Sequence, residues 1–229
     1  MNLIDSVKRL SLFEVLLWAV SAVSIAVSGF IGAFDFMSLT ASLIGVTALI
    51  FIAKGDVLGQ ILTIVFSLLY AVVSFKLRYY GEMITYLAMT APMAALSAVT
   101  WLKHPYKRGE NEVKIARVSR EKLIVMIFLA IIVTAAFYFV LKAFSNARLV
   151  VSTISITTSF MASYLTFCRS YLYALAYAAN DVVLIILWSM ASFSEPAYIS
   201  MVICFFMFFV NDIYGFINWR RLYIRQNKD

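Results

Sequence analysis

Eight apolar stretches, each close to the length that crosses a bilayer, leave this chain little freedom in how it folds. They run over 12–30, 36–53, 57–75, 83–102, 122–141, 147–167, 171–191 and 197–218. A membrane-crossing helix needs about 20 mostly apolar residues. In lipid every backbone N–H and C=O must also be bonded internally, which leaves helices or closed barrels. The expectation is an all-α polytopic membrane protein. Composition agrees, with 63% hydrophobic and 14% charged residues against about 25% charged in a soluble domain. A separate soluble domain has no room. No GxxxxGK[ST] phosphate loop occurs, which argues against transport driven by ATP hydrolysis on this chain. Glu14 near the start of the first stretch, and the lack of a small-x-small cleavage site, favour a retained helix over a signal peptide.

Charge sets the expected orientation. With the N-terminus inside, 15 of the 19 basic residues fall on inner segments, among them Lys54, Lys107, Arg108, Arg169 and Arg220. The outer loops hold the other 4, namely Lys76, Arg78, Lys142 and Arg148. The positive-inside rule then puts both termini in the cytoplasm. The net charge of +7 is read as topological, anchoring to anionic lipid, and not as nucleic-acid binding. Seven spans with one stretch at the interface would break this asymmetry. Cys168 and Cys204 lack CxxC spacing and read as small apolar fillers. His104 is the only histidine, so no His-based metal site or catalytic dyad is expected.

Sliding the chain by 118 residues aligns its halves without gaps: Ser74-Phe75 falls on Ser192-Phe193, Tyr80 on Tyr198, Trp101 on Trp219 and Tyr70 on Trp188. The shift spans four helices, so both copies cross in the same direction, as in a parallel repeat about an axis along the membrane normal. The expected single transmembrane domain, 1–229, is an extra helix at 12–30, a three-helix bundle at 36–102, a lipid-facing linker at 122–141 and a second three-helix bundle at 147–218.

Two polar breaks interrupt the late apolar runs, Asn180-Asp181 and Asn211-Asp212. A carboxylate in the bilayer core is costly and usually faces a cavity or partner. Asp181 lies near the middle of its span. Asp212 is expected nearer the cytoplasmic end, at a different depth, where a pair with Arg169 or Arg220 is an alternative. Polar stripes at helical spacing accompany them: Gln60, Thr63, Ser67 and Ser74; Tyr86, Thr90 and Ser97; Ser152, Ser155, Ser159 and Ser163. Such Ser and Thr groups also bond their own backbone or neighbouring helices. Tyr173 and Tyr177 share the face of Asn180 and Asp181 and suit stacking on a flat ring. Trp188 reads as belt or gate, and Trp101 and Trp219 as interfacial belt.

The eight-span plan, the parallel repeat and the string ISMVICFFMFFVNDIYGFINWRRL resemble the PnuC family of bacterial vitamin transporters. The YYGEM…APM…WLK segment is similar to members of Firmicutes type. The resemblance covers nearly the whole chain, and the closing motif carries its specificity. It implies a protein of the bacterial cytoplasmic membrane, related to the SWEET sugar transporters and trimeric. The implied activity is facilitated diffusion of nicotinamide riboside, trapped by a cytosolic kinase, with no cofactor. Relatives carrying thiamine, riboflavin or deoxynucleosides are alternatives. In relatives that take the riboside, a Trp stands four residues before the Asn matched by Asn180, whereas this chain has Ala176.

On this reading Gln60, Asn180 and Asn211 bond ribose hydroxyls and carboxamide, while Tyr173, Tyr177 or Trp188 stack on the ring. Asp181 or Asp212 faces the cationic pyridinium. No Arg or Lys lies inside the spans to meet a phosphate, which favours the riboside over its mononucleotide. Competing readings are proton coupling through a buried Asp, a purely structural protein, and an intramembrane aspartyl protease, for which the GxGD-type context is missing.

Overall fold

The computed structural model describes residues 3–31, 36–76, 79–107, 111–146 and 148–228. Arg78 and Arg108, both used in the charge asymmetry, lie outside them. The described elements are helical: α1 (Leu3–Lys8), α2 (Leu12–Ile31), α3 (Phe36–Ala53), α4 (Val57–Lys76), α5 (Tyr80–Thr85), a π-turn (Tyr86–Thr90), α6 (Ala91–Lys103), α7 (Arg120–Ala143), α8 (Leu149–Phe167), α9 (Tyr173–Ser192), a 3-10 turn (Pro196–Tyr198) and α10 (Ile199–Gln226). Eight segments are long and apolar enough to span, α5, the π-turn and α6 together making the fourth.

Local chemistry explains the boundaries. Ser11 and Glu14 form a capping box at the start of α2: the Ser11 N–H donates to the Glu14 carboxylate at 2.7 Å and the Glu14 N–H to Ser11 Oγ at 3.3 Å. Ser119 caps α7 by accepting from the Lys122 N–H at 3.3 Å. Inside the fourth span, the Ala91 N–H reaches back five residues to the Tyr86 carbonyl. Pro92 follows and has no N–H to give, so the α-ladder is already broken there and the wider turn is tolerated. The last helix runs to Gln226, beyond the expected 218. Gln226 holds the α6–α7 loop, accepting from the Ile115 N–H at 2.8 Å and donating to the Val113 carbonyl at 3.1 Å.

α9 packs on α8 and α10, and α3 on α4 and α10. α2 lies against α10 and α3, where Glu14 accepts from the Tyr214 hydroxyl at 2.6 Å and pairs with Lys54 at 3.3 Å. α7 packs mainly on α8 and turns residues such as Ile124, Phe128 and Ile131 outward. Thr134 on α7 and Thr157 on α8 share a hydroxyl–hydroxyl bond at 2.7 Å.

The two halves exchange matching contacts at the face that carries the chain termini. The Trp101 indole N–H donates to the Thr166 carbonyl at 3.1 Å, and that of Trp219 to the Ile52 carbonyl at 2.7 Å. Each tryptophan thus ties its helix to the end of the other half's first helix. Their rings meet at 5.3 Å, and both are fully buried, so neither is a belt residue. The turns ending α3 and α8 are also alike, with Gly55 and Arg169 in left-handed conformation and four matching backbone bonds around them. Those turns stand 114 residues apart, while the tryptophans stand 118 apart. A gapless register does not run through both halves; the second holds about one extra helical turn between these landmarks.

Gly59 permits a close approach of α4 to α3. A Cβ there would lie 2.5 Å from the Ile52 backbone nitrogen and 2.9 Å from the Ala48 carbonyl oxygen. Backbone atoms cannot swing aside, so Gly59→Ala is expected to part α3 and α4 at a cost of about 1–3 kcal/mol. A lowered melting temperature of the detergent-purified variant checks this.

Candidate functional site

A narrow cavity lies where α3, α4, the π-turn, α8, α9 and α10 meet. Gln60 and Thr63 face it from α4, Tyr86 and Thr90 from the π-turn, and Ser159 from α8. α9 supplies Tyr173, Tyr177, Asn180 and Asp181, and α10 supplies Asp212. Spacing explains the α9 set: 173, 177, 180 and 181 fall on one face of a helix.

The polar groups are unevenly satisfied. Asn180 Oδ1 accepts from Thr158 Oγ1 at 2.8 Å and Ser155 Oγ at 3.3 Å, which leaves its amide hydrogens available. Tyr177 bonds Ser163 at 3.0 Å. Gln60 Nε2 and Asp181 Oδ2 are buried with no partner. A buried unpaired polar atom costs about 1–3 kcal/mol, so such atoms call for an explanation.

The two aspartates do not sit at different depths. α9 and α10 are antiparallel neighbours, and this brings the Asp181 and Asp212 carboxyls close enough for one to hydrogen-bond the other. They are 4% and 3% exposed. The ion pairs among the described residues are Lys54–Glu14 and Arg225–Glu112, so neither acid is paired with Arg169 or Arg220. Arg169 lies outside the spans beside the Lys114 carbonyl, and burial lowers its pKa.

Two expected site residues lie elsewhere. Asn211 faces α2, donating to Ser21 Oγ at 3.0 Å and to its own helix at the Met207 carbonyl at 2.7 Å. It neighbours Asp212 in sequence, but one residue along a helix turns the side chain by about 100°. Trp188 is fully buried in an aromatic cluster beyond the cavity, 4.7 Å from the Tyr79 ring and 5.5 Å from that of Tyr198. Ala176 is not in the cavity wall; it packs with the cluster around Trp219. Ser67 bonds its own helix at the Thr63 carbonyl, the commoner use of a membrane serine.

The walls also hold residues that polarity could not single out. Phe66, Phe205 and Phe208 line the cavity. Phe66 contacts Tyr86 at 5.7 Å and Phe208 at 5.7 Å, and Tyr70 contacts Tyr86 at 4.4 Å, closing the end away from the termini. Tyr173 rests on Trp219 at 4.6 Å at the other end. The free volume is about 60 Å³, enough for a few waters but far below the roughly 300–1,000 Å³ of organic ligand sites. The conformation is therefore closed, and any organic ligand must part these rings.

Comparison with known proteins agrees with this architecture. The chain is 23% identical over 198 residues to the nicotinamide riboside transporter PnuC of Neisseria mucosa, an alignment covering 84% of this chain and 75% of that protein. Its fold is similar to the crystal structure of the vitamin B3 transporter PnuC, with a TM-score of 0.81, 21% identity, and coverage of 95% of this chain and 94% of the other. A family model described as nicotinamide mononucleotide transporter matches residues 35–221. With that match running from α3 to the end of the closing NDIYGFINWRR motif, the chain belongs to the nicotinamide mononucleotide transporter family of multi-pass membrane proteins.

Proposed function

We propose that this protein carries nicotinamide riboside across the bacterial cytoplasmic membrane by facilitated diffusion, with both termini in the cytoplasm. The observation that carries the reading is the Asp181–Asp212 carboxyl pair, beside the Asn180 and Gln60 amides, in a wall without a basic residue. Two carboxyls side by side in a low-dielectric wall cannot both hold charge cheaply, and an arriving cation relieves them. A pyridinium supplies that fixed charge. Asn180 and Gln60 amide hydrogens suit ribose hydroxyls and a carboxamide carbonyl, and Tyr173 and Tyr177 suit its ring.

The lack of Arg or Lys among the lining residues supports the riboside over the mononucleotide for which the family is described. The similar protein of Neisseria mucosa is a nicotinamide riboside transporter, which supports the same choice.

Alternating access is a rocking of one half against the other, closed at the inner end by the reciprocal Trp101 and Trp219 bonds. A cytosolic kinase traps the product by adding a phosphate that this cavity would not hold. A homotrimer is the proposed assembly. The carboxyl pair also suits a second mechanism, proton-coupled transport, in which one Asp cycles its proton.

Thermal stability of the purified protein against nicotinamide riboside, nicotinamide mononucleotide, thiamine, riboflavin and thymidine tests the substrate, because a ligand of the folded state raises the melting point. A shift with the riboside and none with the mononucleotide is expected. A shift with thiamine, riboflavin or thymidine alone would mean that the cavity is shaped for a different ring.

A further inference from the structure

Beyond the central cavity, towards the face opposite the chain termini, a second group of buried polar atoms lacks partners. Glu82, near the start of the fourth span, is 4% exposed. Its carboxylate makes no hydrogen bond or ion pair among the described residues. Around it the Tyr70 hydroxyl, Ser74 Oγ and Trp188 Nε1 are buried and make no hydrogen bond of ordinary length. These groups are neighbours: Tyr70 lies in the field of Glu82, its hydroxyl is in loose reach of the Trp188 indole N–H, and Ser74 is one turn along from Tyr70. The rings of Tyr79 and Tyr86 wall the group, at 4.7 Å from Trp188 and 4.4 Å from Tyr70. Arg148, a basic residue of this face, is turned to the Met190 carbonyl.

An unpaired, nearly buried carboxylate beside two buried hydroxyls and a buried indole N–H is a poor arrangement for the protein alone. It becomes a good one around a ligand that brings positive charge and a hydrogen-bond acceptor. The geometry points to an outer recognition subsite here, with Glu82 as its anion and the Trp188 N–H and Tyr70 hydroxyl as its donors, for a cationic aromatic ring bearing a carbonyl. Tyr86 belongs to both walls, so a ring held at the outer subsite lies against the aromatic closure of the central cavity. The subsite selects for charge before the substrate meets Asp181, and it rests on the uptake reading above.

The test compares nicotinamide riboside with its reduced dihydro form, which keeps the carboxamide and ribose but carries no charge. Glu82→Gln is expected to weaken riboside binding about tenfold, as loss of one charge-assisted contact would, and to leave the reduced form unchanged. Glu82→Asp should recover part of the riboside affinity. Equal weakening of both forms, or of neither, would overturn the subsite, provided the ligand-free variant melts with the parent protein. If the unmodified protein binds neither form, the riboside reading itself has failed. The subsite is then decided by 1-methylnicotinamide, a bare pyridinium: thermal stabilisation that vanishes in Glu82→Gln supports it, and stabilisation that persists, or is absent from both, refutes it.

Discussion

Asp181→Asn weakens binding of nicotinamide riboside by about 10–100-fold while leaving the ligand-free protein as stable as before or more so. Both halves of that expectation come from the same geometry. Asp181 is buried beside Asp212, has one carboxyl oxygen without a partner, and sits on a cavity wall that holds no basic residue. In the empty protein its charge is a liability, since desolvation and the neighbouring carboxyl both oppose it. An amide of the same shape removes that liability and can bond Asp212. With the cationic ring present the balance reverses, because the carboxylate then faces a fixed positive charge in a low-dielectric wall, and about 1.4 kcal/mol of that attraction is tenfold in affinity. Titration calorimetry and thermal denaturation of one preparation check both. A variant that binds as the parent does, or one that melts far below it, would contradict this role. Asp212→Asn is expected to resemble it in stability and to lose less affinity, since one face of Asp212 is turned to Asp181.

Trp219→Ala is the second large effect, and it falls on stability. The indole is 0% exposed, rests on Tyr173 and Trp101, and donates to the Ile52 carbonyl. Removing a buried aromatic of this size costs about 3–5 kcal/mol. Trp219→Phe keeps most of the packing and loses the hydrogen bond, for about 1 kcal/mol. The reciprocal Trp101→Ala should follow the same order through the Thr166 carbonyl. Thermal denaturation in detergent ranks the three. A Trp219→Ala protein as stable as Trp219→Phe would mean that the inner closure does not depend on the ring stack.

Much of the molecule was legible in the sequence because membrane folds are constrained so directly by apolar length. The eight spans follow from that rule alone. The α9 face was legible for a similar reason: 173, 177, 180 and 181 differ by three and four, and a helix of any tilt keeps them together. Residues that depend on how helices rotate against each other were not. Asn211 and Asp212 are adjacent in the chain yet face α2 and the cavity respectively, and only helix packing distinguishes them. The depths of Asp181 and Asp212 were misjudged because α10 continues to Gln226, past the apolar run ending at 218, which moves its midpoint towards Asp212.

Glu82 fell one residue outside the expected span at 83–102, whereas the helix begins at Tyr80 and carries it inside. Phe66, Phe205 and Phe208 were hidden among the many apolar residues of a chain in which aromatic side chains make up 16%. The π-turn had a sequence signal, Pro92 within an apolar run, but a proline kink and a π-turn read alike before the backbone is seen.

The central claim is that this chain alone equilibrates nicotinamide riboside across a membrane. Uptake of the labelled riboside into sealed liposomes containing only this protein, with no ion gradient, tests it most directly. Internal label that rises to the external concentration and stops there, with no uptake of the mononucleotide, is the predicted result. Label that enters only when a proton gradient is imposed, or that does not exceed empty liposomes, would contradict facilitated diffusion by this cavity.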